Sequence, residues 1–192
     1  MLIDFRHGNA QKLANLLRGH HGPRRRAMGH RVTGSTTRLW QARMSSQQSI
    51  TGEATVTFNT EDDDVKRGNI WTLAAGEVLI DTGGIGRFTY TLQWLLTGTN
   101  VNEGKAFIEQ KPDGGAFAEI ESSFSICLLN ATDAPLNTGD ATIHHSMLVK
   151  VTAGDTFRIR ADRSDAGSTP VIQPTLGGGP FSTGSNWNIE LS

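Results

Sequence analysis

The chain has 192 residues, with one cysteine, 22 glycines, 36% hydrophobic residues and a formal net charge of −1. A single cysteine excludes an intrachain disulfide and a cysteine-based zinc cluster, and no apolar run approaches the roughly 20 residues that span a bilayer. The N-terminus lacks the apolar core of a secretory signal, so nothing in it predicts export.

Charge is distributed very unevenly along the chain. Residues 1–46 hold nine Lys or Arg and one acid, Asp4, whereas residues 47–192 hold nine basic residues and eighteen acids. Such an imbalance is typical of a basic arm attached to an acidic body. We therefore predict two parts, a basic N-terminal anchoring arm over residues 1–46 and a β domain over residues 47–192.

The arm has few residues that could form a core. The segment Asn9–Arg18 has leucines at helical spacing and is followed by Gly19, which predicts one short helix that is not stable alone in water. Two interpretations remain open: a solvated tail, or an extended arm that becomes ordered on an acidic protein surface or on nucleic acid. The second assigns anchoring roles to Leu13, Leu16, Leu17, Arg24, Arg25, Arg26, Arg31, Arg38, Leu39 and Trp40.

Alternating apolar and polar residues predict strands over much of residues 47–192. In the strongest, Arg87–Thr97, every second residue from Phe88 to Leu96 is large and apolar. Further strands are predicted at Ile50–Asn59, Asn69–Leu73, Glu77–Asp81, Gly104–Lys111, Ala116–Leu129 and Asn186–Leu191, with a polar loop at Asn130–Asp140 and a glycine-rich one at 164–184. This pattern predicts an all-β fold, a sandwich or jelly roll.

A β-hairpin is predicted around Ala153–Asp155. Met147–Val151 and Phe157–Ala161 alternate on either side of this turn, as paired strands with one buried face do. The second strand places Arg158, Arg160 and Asp162 on its other face, where they must meet water, an acidic partner or another subunit.

The order of these features resembles the trimeric jelly-roll heads of the tumour necrosis factor and complement globular-head superfamily. The matching segments are the aromatic-rich strand Gly86–Leu96, the long polar loop before the hairpin, the Gly-Asp turn in Leu148–Phe157 and the final strand Asn186–Leu191. The resemblance implies a homotrimer packed around a threefold axis. Residues expected in its core or trimer contacts are Phe88, Tyr90, Trp94, Phe157 and Trp187.

Phage and viral surface proteins look similar, and this resemblance leads to the functional hypothesis. The chain is predicted to be a phage virion protein, made in the host cytoplasm, that decorates or cements a capsid as a trimer with its arm clamped onto the major capsid protein or another virion protein. The alternative is the receptor-binding tip of a head or tail fibre, whose loops bind a host glycan or receptor. A soluble lectin or signalling trimer is a third possibility.

Other chemistry is weaker. Glu61–Asp64 could ligate calcium, but the spacing of an EF-hand is absent and a solvated or docking loop is favoured. His144 and His145 face opposite sides of a strand; one could meet its symmetry mates at a threefold axis, although a hydrogen-bonded or exposed histidine is favoured. No catalytic constellation, cofactor or membrane contact is predicted, and specific nucleic-acid binding is disfavoured because an aromatic platform is lacking.

Overall fold

The computed structural model describes residues 37–61, 71–97, 101–131, 138–174 and 184–192. Within these residues the chain forms fourteen β-strands and one short 3₁₀ turn. In chain order they are β1 (Arg38–Arg43), β2 (Gln48–Ser49), β3 (Ala54–Thr55), β4 (Thr60–Glu61), β5 (Trp71–Ala74), β6 (Glu77–Ile80), β7 (Gly84–Thr97), β8 (Val101–Lys111), β9 (Ala118–Glu119), η1 (Glu121–Ser123), β10 (Ser125–Asn130), β11 (Thr138–Val151), β12 (Asp155–Arg163), β13 (Val171–Gln173) and β14 (Asn186–Leu191). The predicted helix at Asn9–Arg18 lies outside the described residues.

The described strands form two antiparallel sheets of seven strands each. In sheet 1, β11 pairs with one side of β7 along its whole length, while β14 and β13 pair with the other side and are followed by β1, β2 and β4. Sheet 2 has the order β10-β8-β12-β6-β5, with β3 beside β12 and β9 beside β8. The predicted all-β sandwich is confirmed.

The core lies between the two sheets. The predicted alternation in Arg87–Thr97 is confirmed, because Phe88, Tyr90, Leu92, Trp94 and Leu96 are all fully buried. An aromatic cluster fills one part of the interior: the Trp187 ring centroid lies 5.4 Å from Trp40 and 5.9 Å from Phe58, and Trp40 lies 6.3 Å from Trp71. Burying rings of this size supplies a large share of the hydrophobic stabilisation.

The predicted boundary at residue 46 is wrong, because β1 belongs to the sandwich. Its six residues pair with β14 from Arg38 opposite Leu191 to Arg43 opposite Asn186. Trp40 and Ala42 point into the core and are fully buried. The sequence places Trp40 in the arm because the alternation around it is short and lies in a basic segment, and its burial becomes visible only once β14 provides a partner.

The predicted hairpin is also wrong, because its two strands belong to different sheets. β11 pairs with β7 in sheet 1, whereas β12 pairs with β8 and β6 in sheet 2. Asp155, 2% exposed, accepts hydrogen bonds at 2.7 Å from Thr152 N and from Gln110 Nε2. Gly154 takes φ +92° and donates its N–H to Ile80 O. These bonds turn the chain across the core instead of back along the same sheet.

Three other predicted elements differ in their bounds. Within Ile50–Asn59 only Ala54–Thr55 is a strand, although Ile50, Val56 and Phe58 are buried as expected. η1 interrupts the strand predicted at Ala116–Leu129. β7 begins at Gly84, three residues before the predicted strand, and a side chain at Gly84 would lie 2.7 Å from Ser192 O.

Candidate self-association surface

Large apolar side chains are exposed on one edge of the sandwich. Phe124, Ile126 and Leu128 are 47%, 52% and 63% exposed, and they alternate with residues that point inward. Among the described strands β10 forms its ladder with β8 alone, and its other edge lies against β11 of sheet 1 without a ladder. An edge strand that carries exposed apolar side chains is a candidate contact surface for another chain.

The apolar side chains continue onto β8, the neighbour of β10. Val101 stands opposite Asn130 in the ladder and is 45% exposed. We call Phe124, Ile126, Leu128 and Val101 the apolar strip. A contiguous apolar patch on the surface of a folded chain usually marks a contact surface, whereas single scattered apolar residues do not.

The outermost described strand of sheet 1, β11, lies beside β10, and together they form a seam along one side of the sandwich. At one end of the seam the backbones approach so closely that a side chain at Gly139 would lie 2.5 Å from Asn130 O. Farther along, Ser125 Oγ and His145 Nδ1 lie 3.0 Å apart. The seam therefore brings the edge strands of the two sheets together along β10, which also carries Ile126 and Leu128 of the apolar strip.

The outer face of sheet 1 is polar but largely uncharged in its centre. Thr89 Oγ1 lies 3.0 Å from Ser146 Oγ, and Thr91 Oγ1 lies 3.0 Å from His144 Nδ1. Asn186, Asn188 and Gln41 continue this surface across β14 and β1. Depletion of charged side chains is the compositional mark of the core of a protein–protein interface.

An apolar corner borders this polar face. Ile85 and Leu148 are 50% and 67% exposed. With Thr37, Ser192, Arg87 and Glu190 they line a recess of about 160 Å³. Arg87 Nη1 lies 4.0 Å from Glu190 Oε2 and both side chains are exposed, so the pair adds little stability. The recess therefore combines the apolar side chains of Ile85 and Leu148 with the opposite charges of Arg87 and Glu190.

The centre of the outer face of sheet 2, away from the apolar strip at β10, is different, because its charges pair with one another. Arg158 Nε donates to Glu109 Oε2 at 2.5 Å, and Arg160 Nη2 lies 2.6 Å from Glu53 Oε1. The Arg158 guanidinium also stacks 3.7 Å from the centroid of Phe117. The sequence predicts that these arginines meet water, an acidic partner or another subunit, whereas their partners are carboxylates of the same chain.

The five residues predicted for the core or the trimer contacts, Phe88, Tyr90, Trp94, Phe157 and Trp187, are fully buried within the single chain. Phe88 and Phe157, from opposite sheets, have ring centroids 4.6 Å apart. Tyr90 Oη donates to Ser123 O at 2.9 Å and Ala106 O at 3.2 Å, which ties β7 to sheet 2. These residues hold the sandwich together and are not accessible to another subunit.

Trp40, predicted to anchor the chain to another protein, is fully buried within its own domain. Its Nε1 donates to Glu61 Oε1 at 2.8 Å, and its ring packs between Trp71 and Trp187. Arg38 and Leu39 are half-buried in β1. The remaining predicted anchoring residues, Leu13, Leu16, Leu17, Arg24, Arg25, Arg26 and Arg31, lie outside the described residues, as does Asp62–Asp64.

Sequence reasoning missed the apolar strip, although its signal was present. The segment Phe124–Leu129 has apolar residues on both faces of a strand, a pattern that predicts burial rather than exposure. The structure shows Cys127 half-buried against Trp94 and Gly104, where burial raises the pKa of its thiol to about 11. Ile126 and Leu128, on the other face of the same strand, are the exposed residues.

Within the described residues no three His, Cys, Asp or Glu side chains are grouped as metal ligands. The same part of the chain contains no helix long and apolar enough to cross a membrane. His144 is exposed and His145 half-buried on opposite faces of β11, as their adjacency predicted.

The sequence matches no protein-family model and no curated protein. Solved structures do share its architecture. The TNF protein Eiger from S. frugiperda superposes with a TM-score of 0.56 at 11% identity, over 81% of this chain and 92% of that one. Murine APRIL, in a crystal structure at pH 8.5, gives 0.54 at 10% identity, over 81% and 99%. At this identity the match shows the fold, a TNF-like jelly roll.

Proposed function

We propose that the chain is a structural virion protein that stands on a capsid as a homotrimer. In this proposal it is attached to the capsid by the basic residues 1–36, which we call the leader. The observation that carries this proposal is the pair of different surfaces on one chain, the apolar strip on β10 and the polar face with its apolar corner on sheet 1. The TNF-like fold supports the trimer, since the superfamily that the sequence resembles assembles in this way.

Two different patches on one chain favour a head-to-tail ring. When the strip of one copy contacts the face of the next, the contact is heterologous and can close by rotation. A ring of three buries every strip and leaves none free. Burying Ile126 and Leu128, which are 52% and 63% exposed in the single chain, would contribute roughly 1–2 kcal/mol per side chain before the cost of association.

The leader supplies the attachment in this proposal. With β1 assigned to the sandwich, it covers residues 1–36, which hold seven Lys or Arg and one acid, whereas residues 37–192 hold eleven basic and eighteen acidic residues. Opposite charge favours the encounter of such a leader with an acidic shell. Three leaders on one trimer raise the effective concentration of each.

Native mass spectrometry of the full chain tests the trimer. We expect a mass three times that of the 20.8 kDa chain. The double variant Ile126→Asp/Leu128→Asp should be monomeric and folded, because both side chains are on the surface. Thr72→Asp, which adds a charge to the exposed side of β5 on the opposite edge of sheet 2, is the matched control and should stay trimeric. A monomeric wild type would overturn the proposal.

The attachment is tested separately. A chain that begins at residue 37 should form the same trimer but no longer co-sediment with purified particles. If it still binds them at full occupancy, the leader does not anchor the protein.

The fibre-tip alternative has one observation in its favour, the rigid loop after β12. Asn102, 2% exposed, accepts bonds from the backbone N–H groups of Ser164 and Asp165 and donates to Ser168 Oγ at 2.7 Å. A preformed loop suits ligand binding. Copy number in purified particles separates the two functions: hundreds for decoration, a few dozen at most for a tip.

A further inference from the structure

One histidine occupies an unusual position in the seam between the sheet edges. His145 lies on β11, the outermost described strand of sheet 1, and its Nδ1 lies 3.0 Å from Ser125 Oγ on β10, the corresponding edge strand of sheet 2. Its ring stacks on Tyr90, with centroids 5.6 Å apart and an interplanar angle of 26°. The His145–Ser125 bond, which we call the latch, therefore connects the adjacent edge strands of the two sheets.

The second ring nitrogen of His145 is buried. Nε2 is closed off from solvent, and the described part of the chain places no hydrogen-bond partner against it. A neutral imidazole tolerates this, because one nitrogen is an acceptor and needs no proton partner. A protonated ring has two N–H donors, of which Ser125 Oγ can accept one. The other would be a buried cationic donor without an acceptor, which is costly.

Within the described residues, the elements packed against His145 place no buried carboxylate beside it that would offset this cost. Tyr90 on β7 stays neutral because burial raises its pKa to about 12, and Cys127 on β10 stays neutral because burial raises its pKa to about 11. Glu121 in η1, which also packs beside β11, is exposed to solvent. The Tyr90 ring can attract a cation through its face but offers no acceptor for Nε2–H.

We propose that the latch is acid-sensitive: uptake of a proton by His145 separates β11 from β10 and opens the seam. Histidine is the side chain whose charge changes between about pH 5 and pH 8. Opening exposes Nε2 to water, so the open form accommodates the proton better than the closed form, and acid shifts the population toward it. The latch lies within one chain, so the inference does not rest on self-association.

Hydrogen exchange of the full chain tests the proposal. Backbone amides of β10 and the adjacent part of β11 should lose about tenfold or more of their protection between about pH 8 and pH 5, after correction for intrinsic exchange rates. Amides of β12 and β6, which pair with each other away from the β10 edge, should not change. Equal protection of β10 at both pH values would overturn the proposal.

Two variants separate His145 from its neighbour. His145→Gln keeps a hydrogen-bonding side chain without a titratable ring, so β10 protection should become insensitive to pH. His144→Gln is the matched control, since His144 is exposed on the opposite face of β11, 3.0 Å from Thr91 Oγ1, and should keep the wild-type response. A pH response that survives in His145→Gln, or disappears in His144→Gln, contradicts the proposal.

A measurement on the wild type covers the case in which His145→Gln does not fold. The ring signals of the two histidines can be followed by NMR during acidification alongside the β10 amides. Loss of protection should coincide with the change in the His145 ring. If it coincides with His144 instead, the latch is not the acid-sensitive group.

Discussion

The outer faces of the two sheets differ in how completely the chain satisfies its own side chains. On sheet 2, Arg158 and Arg160 pair with Glu53, Glu77 and Glu109. Sheet 1 instead presents an uncharged polar centre, and the β10 edge of sheet 2 exposes the apolar strip. Because isolated charges and apolar groups are both costly in the wrong environment, the polar face of sheet 1 and the apolar strip are the surfaces that require a partner. The paired charges in the centre of sheet 2 need only solvent.

The largest expected effect concerns whether β1 belongs to sheet 1, on which this comparison depends. Trp40→Ala should lower the free energy of unfolding by about 3–5 kcal/mol, because it leaves a cavity between Trp71 and Trp187. Chemical denaturation of wild type and variant measures it. Gln41→Ala, on the outer face of the same strand, is the control and should change stability much less. If Trp40→Ala is as stable as wild type, β1 does not belong to the folded sandwich.

Trp40 also illustrates what the sequence can and cannot reveal. The strand Arg87–Thr97 was predictable because five large side chains repeat at a period of two. β1 shows the same period over only six residues, within a basic context that resembles a tail. Its burial depends on β14, about 150 residues away, and long-range pairing of this kind is not present in local pattern.

The apolar strip and the sheet crossover were hidden for a related reason. Alternation around Ala153–Asp155 is the same whether the chain folds back in one sheet or crosses to the other. The difference comes from Asp155 and Gln110, which are close only in the folded chain. Similarly, a strand that is apolar on both faces predicts burial, and only its position at a sheet edge shows that Ile126 and Leu128 face outward.

The next effect concerns the apolar strip and tests whether it is the surface through which the chain self-associates. In Ile126→Asp/Leu128→Asp the dissociation constant of the trimer should rise by about 100-fold or more, because two charges would be buried in each contact. Sedimentation velocity over a concentration series measures it. The melting temperature of the monomer should stay near that of wild type, since neither side chain packs in the core. If the double variant assembles as wild type does, the strip is not the contact.

Tyr90 connects the two sheets through its phenol group, so its ionisation should lower the stability of the whole sandwich and not of one face. Burial raises its pKa to about 12, above the ordinary value of 10.0. The folded state therefore holds the phenolic proton more tightly than the unfolded state. This contribution is complete below about pH 10 and is lost as the pH rises through 12, at most about 3 kcal/mol.

Urea denaturation between pH 8 and the alkaline limit checks this prediction, with Tyr90→Phe as the variant. The variant should be less stable at pH 8, because Ser123 O and Ala106 O lose their donor, but its stability should decline less at high pH. A parallel decline in both proteins would show that another group titrates.

The smallest expected effect contrasts one arginine from each face. Arg158→Ala leaves Glu109, whose side chain is 14% exposed, without its closest cationic partner and removes the stack on Phe117, so unfolding should be easier by about 1–2 kcal/mol. Arg87→Ala on sheet 1 removes an exposed pair at 4.0 Å and should change monomer stability by less than about 0.5 kcal/mol. Self-association should show the opposite order, because Arg87 borders the apolar corner whereas Arg158 is already satisfied. Denaturation and sedimentation of both variants measure the two effects, and equal responses from both arginines would remove the distinction between the faces.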